Sequence, residues 1–206
     1  MTEGTDPSAW KDLLARWSKD LLADPSIAED LPPDVVASGW LGYPPASEEQ
    51  IRATEDRLGT MLPPSYRAFL KTSNGWRNTT SFIDRLWSTD EIDWFRVRNR
   101  DWIEAWTEGK RLAEQQYGAV EIPDEEYFVY GEDQNAFDLR REYLKTALEI
   151  SDTGDSGIYL LNPRVVTADG EWEAWFFANW LPGAVRYRSF WDMMQGEYRS
   201  YLDERE

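Results

Sequence analysis

The 206-residue chain carries 22 Lys and Arg against 39 Asp and Glu, a formal net charge of −17, and has neither His nor Cys. That balance argues against a nucleic-acid-binding module, which shows a basic face to phosphate. The two missing residue types exclude disulfides, thiolate and imidazole metal sites, cysteine nucleophiles and Ser-His-Asp triads.

A core is still within reach, because 12 Trp, 10 Tyr and 8 Phe stand within a 41% apolar composition, unlike the aromatic-poor make-up of acidic disordered chains. No apolar run approaches the roughly 18 residues of a membrane helix, and Met1 to Trp10 lacks the basic and apolar regions of a signal peptide. The expectation is a cytoplasmic protein without membrane contact, in which the Asn78-Thr79-Thr80 sequon is incidental.

Behind Pro7-Ser8, residues Trp10, Leu13, Leu14, Trp17 and Leu21 recur at helical spacing and predict an amphipathic helix ending at Asp24-Pro25. Pro32-Pro33 and Pro44-Pro45, with Gly39 and Gly42 between them, read as linker. The chain thus divides into an N-terminal helical arm and linker over 1–38 and an α+β domain over 39–206. Ser47 with Gln50 forms a capping box for a helix whose face is Ile51, Thr54 and Leu58 and whose stop is Gly59. A second helix runs from Pro63-Pro64 through Tyr66, Phe69 and Leu70 to Asn74-Gly75. Ser88 with Glu91 predicts a third, carrying Ile92, Phe95, Trp102, Ile103 and Trp106.

The second half reads as extended. Tyr127–Tyr130, Ala147–Ser151 and Ile158–Leu161 predict strands, the last closed by Asn162-Pro163. After a turn at Asp169-Gly170, Trp172, Ala174, Phe176, Ala178 and Trp180 alternate with Glu171, Glu173, Trp175, Phe177 and Asn179, one set to each face of a strand. Pro182-Gly183 ends it, Val185 to Tyr187 extends the sheet, and Ser189 with Asp192 caps a last helix bearing Phe190, Met194, Tyr198 and Tyr201. This order describes an α+β fold in which an antiparallel β-sheet is packed by helices.

The run Leu41-Gly42-Tyr43-Pro44-Pro45, the helix Ile51 to Leu58, Leu62-Pro63-Pro64-Ser65-Tyr66-Arg67-Ala68-Phe69-Leu70 and Ser73-Asn74-Gly75 resemble the N-terminal signature of the SUKH superfamily, the Smi/Knr-type group. Leu160-Leu161-Asn162-Pro163, Gly170 to Trp175 and Trp180-Leu181-Pro182-Gly183 are similar to its C-terminal strands. The resemblance covers about residues 40–195. It implies a single α+β domain, used in many bacterial members as an immunity protein that binds and neutralises a cognate toxin. Eukaryotic relatives act in cell-wall synthesis and as interaction modules. Binding residues in that family vary with the toxin, so no site transfers by resemblance.

Chemistry must then be weighed residue by residue. Gly154-Asp155-Ser156-Gly157 resembles a serine-protease nucleophile segment, but without an imidazole base it reads as a turn. Glu171 and Glu173, about 6.6 Å apart along one strand, fall within the about 6.5–9.5 Å of an inverting glycosidase, yet such carboxylates flank a bond from opposite sides. Neither motif supports catalysis, so the expectation is a non-enzymatic protein with no cofactor and no metal. Charge is concentrated: residues 111–160 hold 12 acidic and 4 basic groups, a net of −8, whereas 61–110 are near neutral. Asp124, Glu125, Glu126, Glu132 and Asp133, joined by Asp152 and Asp155, read equally as a solvated loop that adds solubility and as the candidate partner-binding set, since charges so concentrated cost self-repulsion. Trp76, after the Asn-Gly stop, and Trp40, in the linker, are candidate exposed anchors. The expected partner is a basic toxin domain, such as a nuclease, rather than nucleic acid. The alternative is a regulatory scaffold in cell-wall or envelope synthesis, with the N-terminal arm as its binding element.

Overall fold

Asp6 opens the first helix of the computed structural model, which describes residues 3–80, 82–119, 121–154 and 156–203. Its carboxylate accepts from the Ser8 amide, and Pro7 fills the first helical position of α1 (Pro7–Leu22), where a missing N–H is no loss. The stretch read as linker contains two short helices, α2 (Pro25–Glu29), capped by Asp24, and α3 (Pro33–Ser38), stopped by Gly39 in the left-handed region. Helix α4 (Glu48–Leu58) carries the expected reciprocal capping box between Ser47 and Gln50. Its stop, Gly59, has φ +71°, a conformation only glycine takes without strain. Helix α5 (Pro64–Thr72) follows at once.

A hairpin comes next, β1 (Trp76–Thr80) and β2 (Ile83–Leu86). The single helix expected after Ser88 is broken. Ser88 and Glu91 do bond side chain to side chain at 2.7 Å, but Asp93 and Trp94 form strand β3 (Asp93–Trp94) and pair with Glu149 and Leu148. Helix α6 (Phe95–Arg98) and helix α7 (Arg100–Tyr117) follow, divided at Asn99. Sheet pairing, a non-local term, overrides the local cap.

Tyr127–Tyr130, expected as a strand, ends helix α8 (Asp124–Tyr127) and runs on as irregular chain into a 3-10 turn, Gly131–Asp133. The remaining strands are β4 (Leu148–Glu149), β5 (Gly157–Val166), β6 (Trp172–Ala178) and β7 (Ala184–Tyr187), before the closing helix α9 (Phe190–Asp203). Strand β5 passes through Pro163 instead of stopping there, with an irregularity in register between Asn162 and Val166. Pro lacks the ladder donor and is tolerated at such a bulge. Among the described residues the main sheet is antiparallel, in the order β3-β4-β5-β6-β7.

Alternation along β6 puts an apolar layer on each face, and all seven of its residues are buried. Trp172, Ala174, Phe176 and Ala178 join Tyr159 and Leu161 under α1, α4, α5 and α9. Trp175 and Phe177 join Ile158, Leu160, Phe95, Ile103, Leu139 and Leu144 on the other face. The strand ends before Trp180, which lies in the following turn and is 50% exposed.

The helix read as an arm contributes five residues to the first layer: Trp10, Leu13, Leu14, Trp17 and Leu21 are each at most 2% exposed. Trp10 packs on Phe69, Phe190 and Trp191 with centroid distances of 5.4, 5.4 and 4.7 Å, and its Nε1 donates to the Gly4 carbonyl. Trp17 packs on Tyr198, whose phenol donates to the Asp20 carboxylate. Residues near both ends of the chain thus close over one core.

Candidate acidic docking loop

Residues 121–139 contain seven acidic groups and no basic one. A segment so charged stays in place only if something inside holds it, because like charges repel. The anchor is a buried polar network on the sheet face away from α1 and α9. Glu173 of β6 accepts from the phenols of Tyr127 at 2.8 Å and Tyr130 at 3.0 Å, from Asn162 Nδ2 at 2.9 Å and from Trp175 Nε1 at 2.7 Å. Arg186 of β7, wholly buried, stands 3.7 Å from Glu173 and donates to the carbonyls of Tyr127 and Val129. Its guanidinium lies over the Tyr127 ring at 4.4 Å, and that of Arg140 lies over the same ring at the same distance. Burial, reinforced by the Glu173 carboxylate, pushes both phenols above their usual range, so they donate as neutral groups. These partners explain why Tyr127–Tyr130 is no strand: its tyrosines and two of its carbonyls are committed to Glu173 and Arg186.

A second anchor lies on the open edge of β7. The side-chain amide of Gln134 accepts from the Arg186 N–H at 2.7 Å and donates to the Arg186 carbonyl at 3.3 Å. One side chain thereby satisfies both backbone groups of an edge residue, as a neighbouring strand would. Two residues on, the Ala136 carbonyl accepts from Ala184 N–H at 3.1 Å. Gly183 packs so closely there that a Cβ would fall on the Ala136 carbonyl oxygen.

Held from beneath, the loop points its charges outward. Asp124, Glu125 and Glu126 of α8 and Glu132 and Asp133 of the 3-10 turn are exposed. Asp124 pairs with Arg140 at 2.5 Å; among the described residues Glu125, Glu126, Glu132 and Asp133 make no ion pair. Asp152 is not brought to this loop, since its carboxylate accepts from the Arg85 amide at 3.0 Å at the junction of β2 and β4. Burial raises its pKa. Asp155 lies outside the described residues.

Trp76 is not an exposed anchor. It is fully buried at the start of β1, and Trp40 lies half-buried with its ring against it, 5.4 Å between centroids. The Asn-Gly stop returns the chain into the core there. Among the described residues the exposed aromatics are instead Tyr117, at the end of α7, and Phe128, Phe137 and Trp180 at or beside the loop, and no periodicity or turn signal sets them apart in the sequence.

The two carboxylates weighed for hydrolysis turn to opposite faces. Glu171 precedes β6 and accepts from the amide and hydroxyl of Ser65 at 2.8 and 2.6 Å, at the start of α5, whereas Glu173 faces the loop. Each is spent on packing, and no bond could lie between them. A groove of about 680 Å³ between α5, Pro7 and Gly170 carries Arg67 and Lys71, but Arg67 already pairs with Glu48 and Glu55, and Lys71 with Glu48. No group of three or more Asp and Glu able to hold a metal ion occurs among the described residues, and no described helix is long and apolar enough to cross a membrane.

Compared with known proteins, residues 45–196 match the SMI1 / KNR4 family (SUKH-1). No curated protein matches the chain.

Proposed function

The chain belongs to the SMI1 / KNR4 family (SUKH-1), and from that premise we propose that it is a non-enzymatic immunity-type protein that captures a basic toxin domain, such as a nuclease. The observation that carries this reading is the acidic loop, fixed by Glu173, Arg186 and Gln134 while Glu125, Glu126, Glu132 and Asp133 are left without an ion pair. A domain that cleaves nucleic acid needs a positive groove for phosphates. Carboxylates on a rigid loop can take phosphate positions there and accept charge-assisted hydrogen bonds from Arg and Lys. Complementary fields also speed encounter and reject wrong partners.

The test is the association rate with a basic nuclease toxin domain, measured against ionic strength. Steered capture slows by on the order of tenfold or more between low and physiological salt, and reversing the four unpaired charges removes most of that dependence. A salt-independent rate overturns the reading.

A further inference from the structure

Three large aromatic side chains stay exposed at the acidic loop and the turn packed against it: Phe137 at 68%, Trp180 at 50% and Phe128 at 42%. The turn after β6, which carries Trp180, touches the loop at Gly183 and Ala136. Phe137 and Trp180 lie one and three residues from that contact. Neither is loose. The Phe137 amide donates to Asn135 Oδ1 at 3.2 Å, while Asn135 donates to Asp138 at 3.1 Å and closes the turn. Trp180 rests on Phe82 and Phe176, with centroids 5.4 and 5.8 Å away. Phe128 stands edge-on to Tyr127 at 5.2 Å.

Building on the reading above, we propose that Phe137 and Trp180, with Phe128, form the apolar centre of a protein-docking surface whose rim is Glu125, Glu126, Glu132 and Asp133. Its occupant is a protein segment with apolar side chains flanked by Lys and Arg. Charge complementarity selects that occupant, because a rim of carboxylates repels an acidic partner and loses water without compensation against a neutral one. Aromatic side chains have only two rotatable bonds and lose little freedom on contact, and buried aromatic anchors carry most of the affinity at protein interfaces. The charges then set the rate of encounter, and the aromatics set how long the complex lasts.

The experiment uses the full chain and three helical peptides of equal length: one with Lys and Leu on a single face, one with each Leu replaced by Ser, and one with each Lys replaced by Gln. At low salt the Lys-Leu peptide binds about tenfold or more tightly than the Lys-Ser peptide, and its amide shift changes fall on residues 125–137 and 179–183. Phe137→Ser, a change at a mostly exposed site, brings the Lys-Leu affinity down to the Lys-Ser value. Trp180→Ser does the same where its unfolding curve matches that of the parent. Equal binding of the Lys-Leu and Lys-Ser peptides overturns the aromatic centre and leaves the charge-based reading standing. Shift changes elsewhere also overturn it, and failure of both cationic peptides to bind overturns the two together.

Discussion

Glu173 and Arg186 face each other across β6 and β7 with neither side chain exposed, Oε1 and Nη1 3.7 Å apart. A buried ion pair is a weak source of net stability, but removing one partner strands the other. Arg186→Met should therefore cost about 3–5 kcal/mol and free residues 124–139, seen as a lower urea midpoint and faster amide exchange in the loop. Adding Glu173→Gln should recover part of the loss. An unchanged midpoint in the single variant would remove the network from its place as anchor.

Gly183→Ala tests the same loop without touching a charge. A Cβ there meets the Ala136 carbonyl, and backbone cannot yield as a flexible side chain does. We expect a loss of about 1–3 kcal/mol, release of the Ala184–Ala136 hydrogen bond and weaker capture of the proposed basic partner, although all the acidic groups remain. Calorimetry and loop exchange rates together read this out.

Glu149 supplies a pH dependence. Burial pushes its carboxyl up to about 7, with Asp93 acting in the same direction and Arg98 and Asn99 opposing. A raised folded-state pKa means that folding takes up a proton. The resulting stabilisation is complete below the ordinary value of 4.5 and is lost as pH rises through about 7. The loss amounts to roughly 3 kcal/mol at most, by the equivalence of one pKa unit to about 1.4 kcal/mol. Glu149→Gln, which keeps an acceptor for Asn99 Nδ2, should flatten the difference in unfolding free energy between pH 4.5 and 7.5. A parallel slope in both proteins would sink the assignment.

Residues 1–38 lie wholly outside the family match, yet Trp10 and Trp17 are fully buried. Trp10→Ala should cost about 3–5 kcal/mol. Deleting 1–38 should abolish cooperative unfolding, so loss of a partner in such a truncation would report on the fold and not on an arm-borne site. Near-ultraviolet circular dichroism of the truncated chain distinguishes the two: a native spectrum would show that the helix is dispensable.

Local signals carried much of the fold. The Ser47 box, the Gly59 stop, the Pro7 and Pro64 starts and the alternation along β6 each depend on neighbours within a few residues, and each stands where the sequence puts it. The misreadings came from distant partners. Tyr127 and Tyr130 have strand propensity but answer to Glu173, 46 and 43 residues away. Asp93 and Trp94 answer to β4. The candidate site was half legible: the charge of the loop is a count, but the exposure of Phe137 and the burial of Trp76 depend on which turn faces the core.

In the docking loop, inward and outward duties fall on different residues. Tyr127, Tyr130 and Gln134 hold it, while the side chains of Glu125, Glu126, Glu132 and Asp133 make no ion pair among the described residues. Exposed substitutions away from anchors usually change stability by no more than about 0.5 kcal/mol. If the loop is the docking surface proposed above, partner choice can be rewritten on this fold at almost constant stability, one surface residue at a time and without passing through unfolded intermediates.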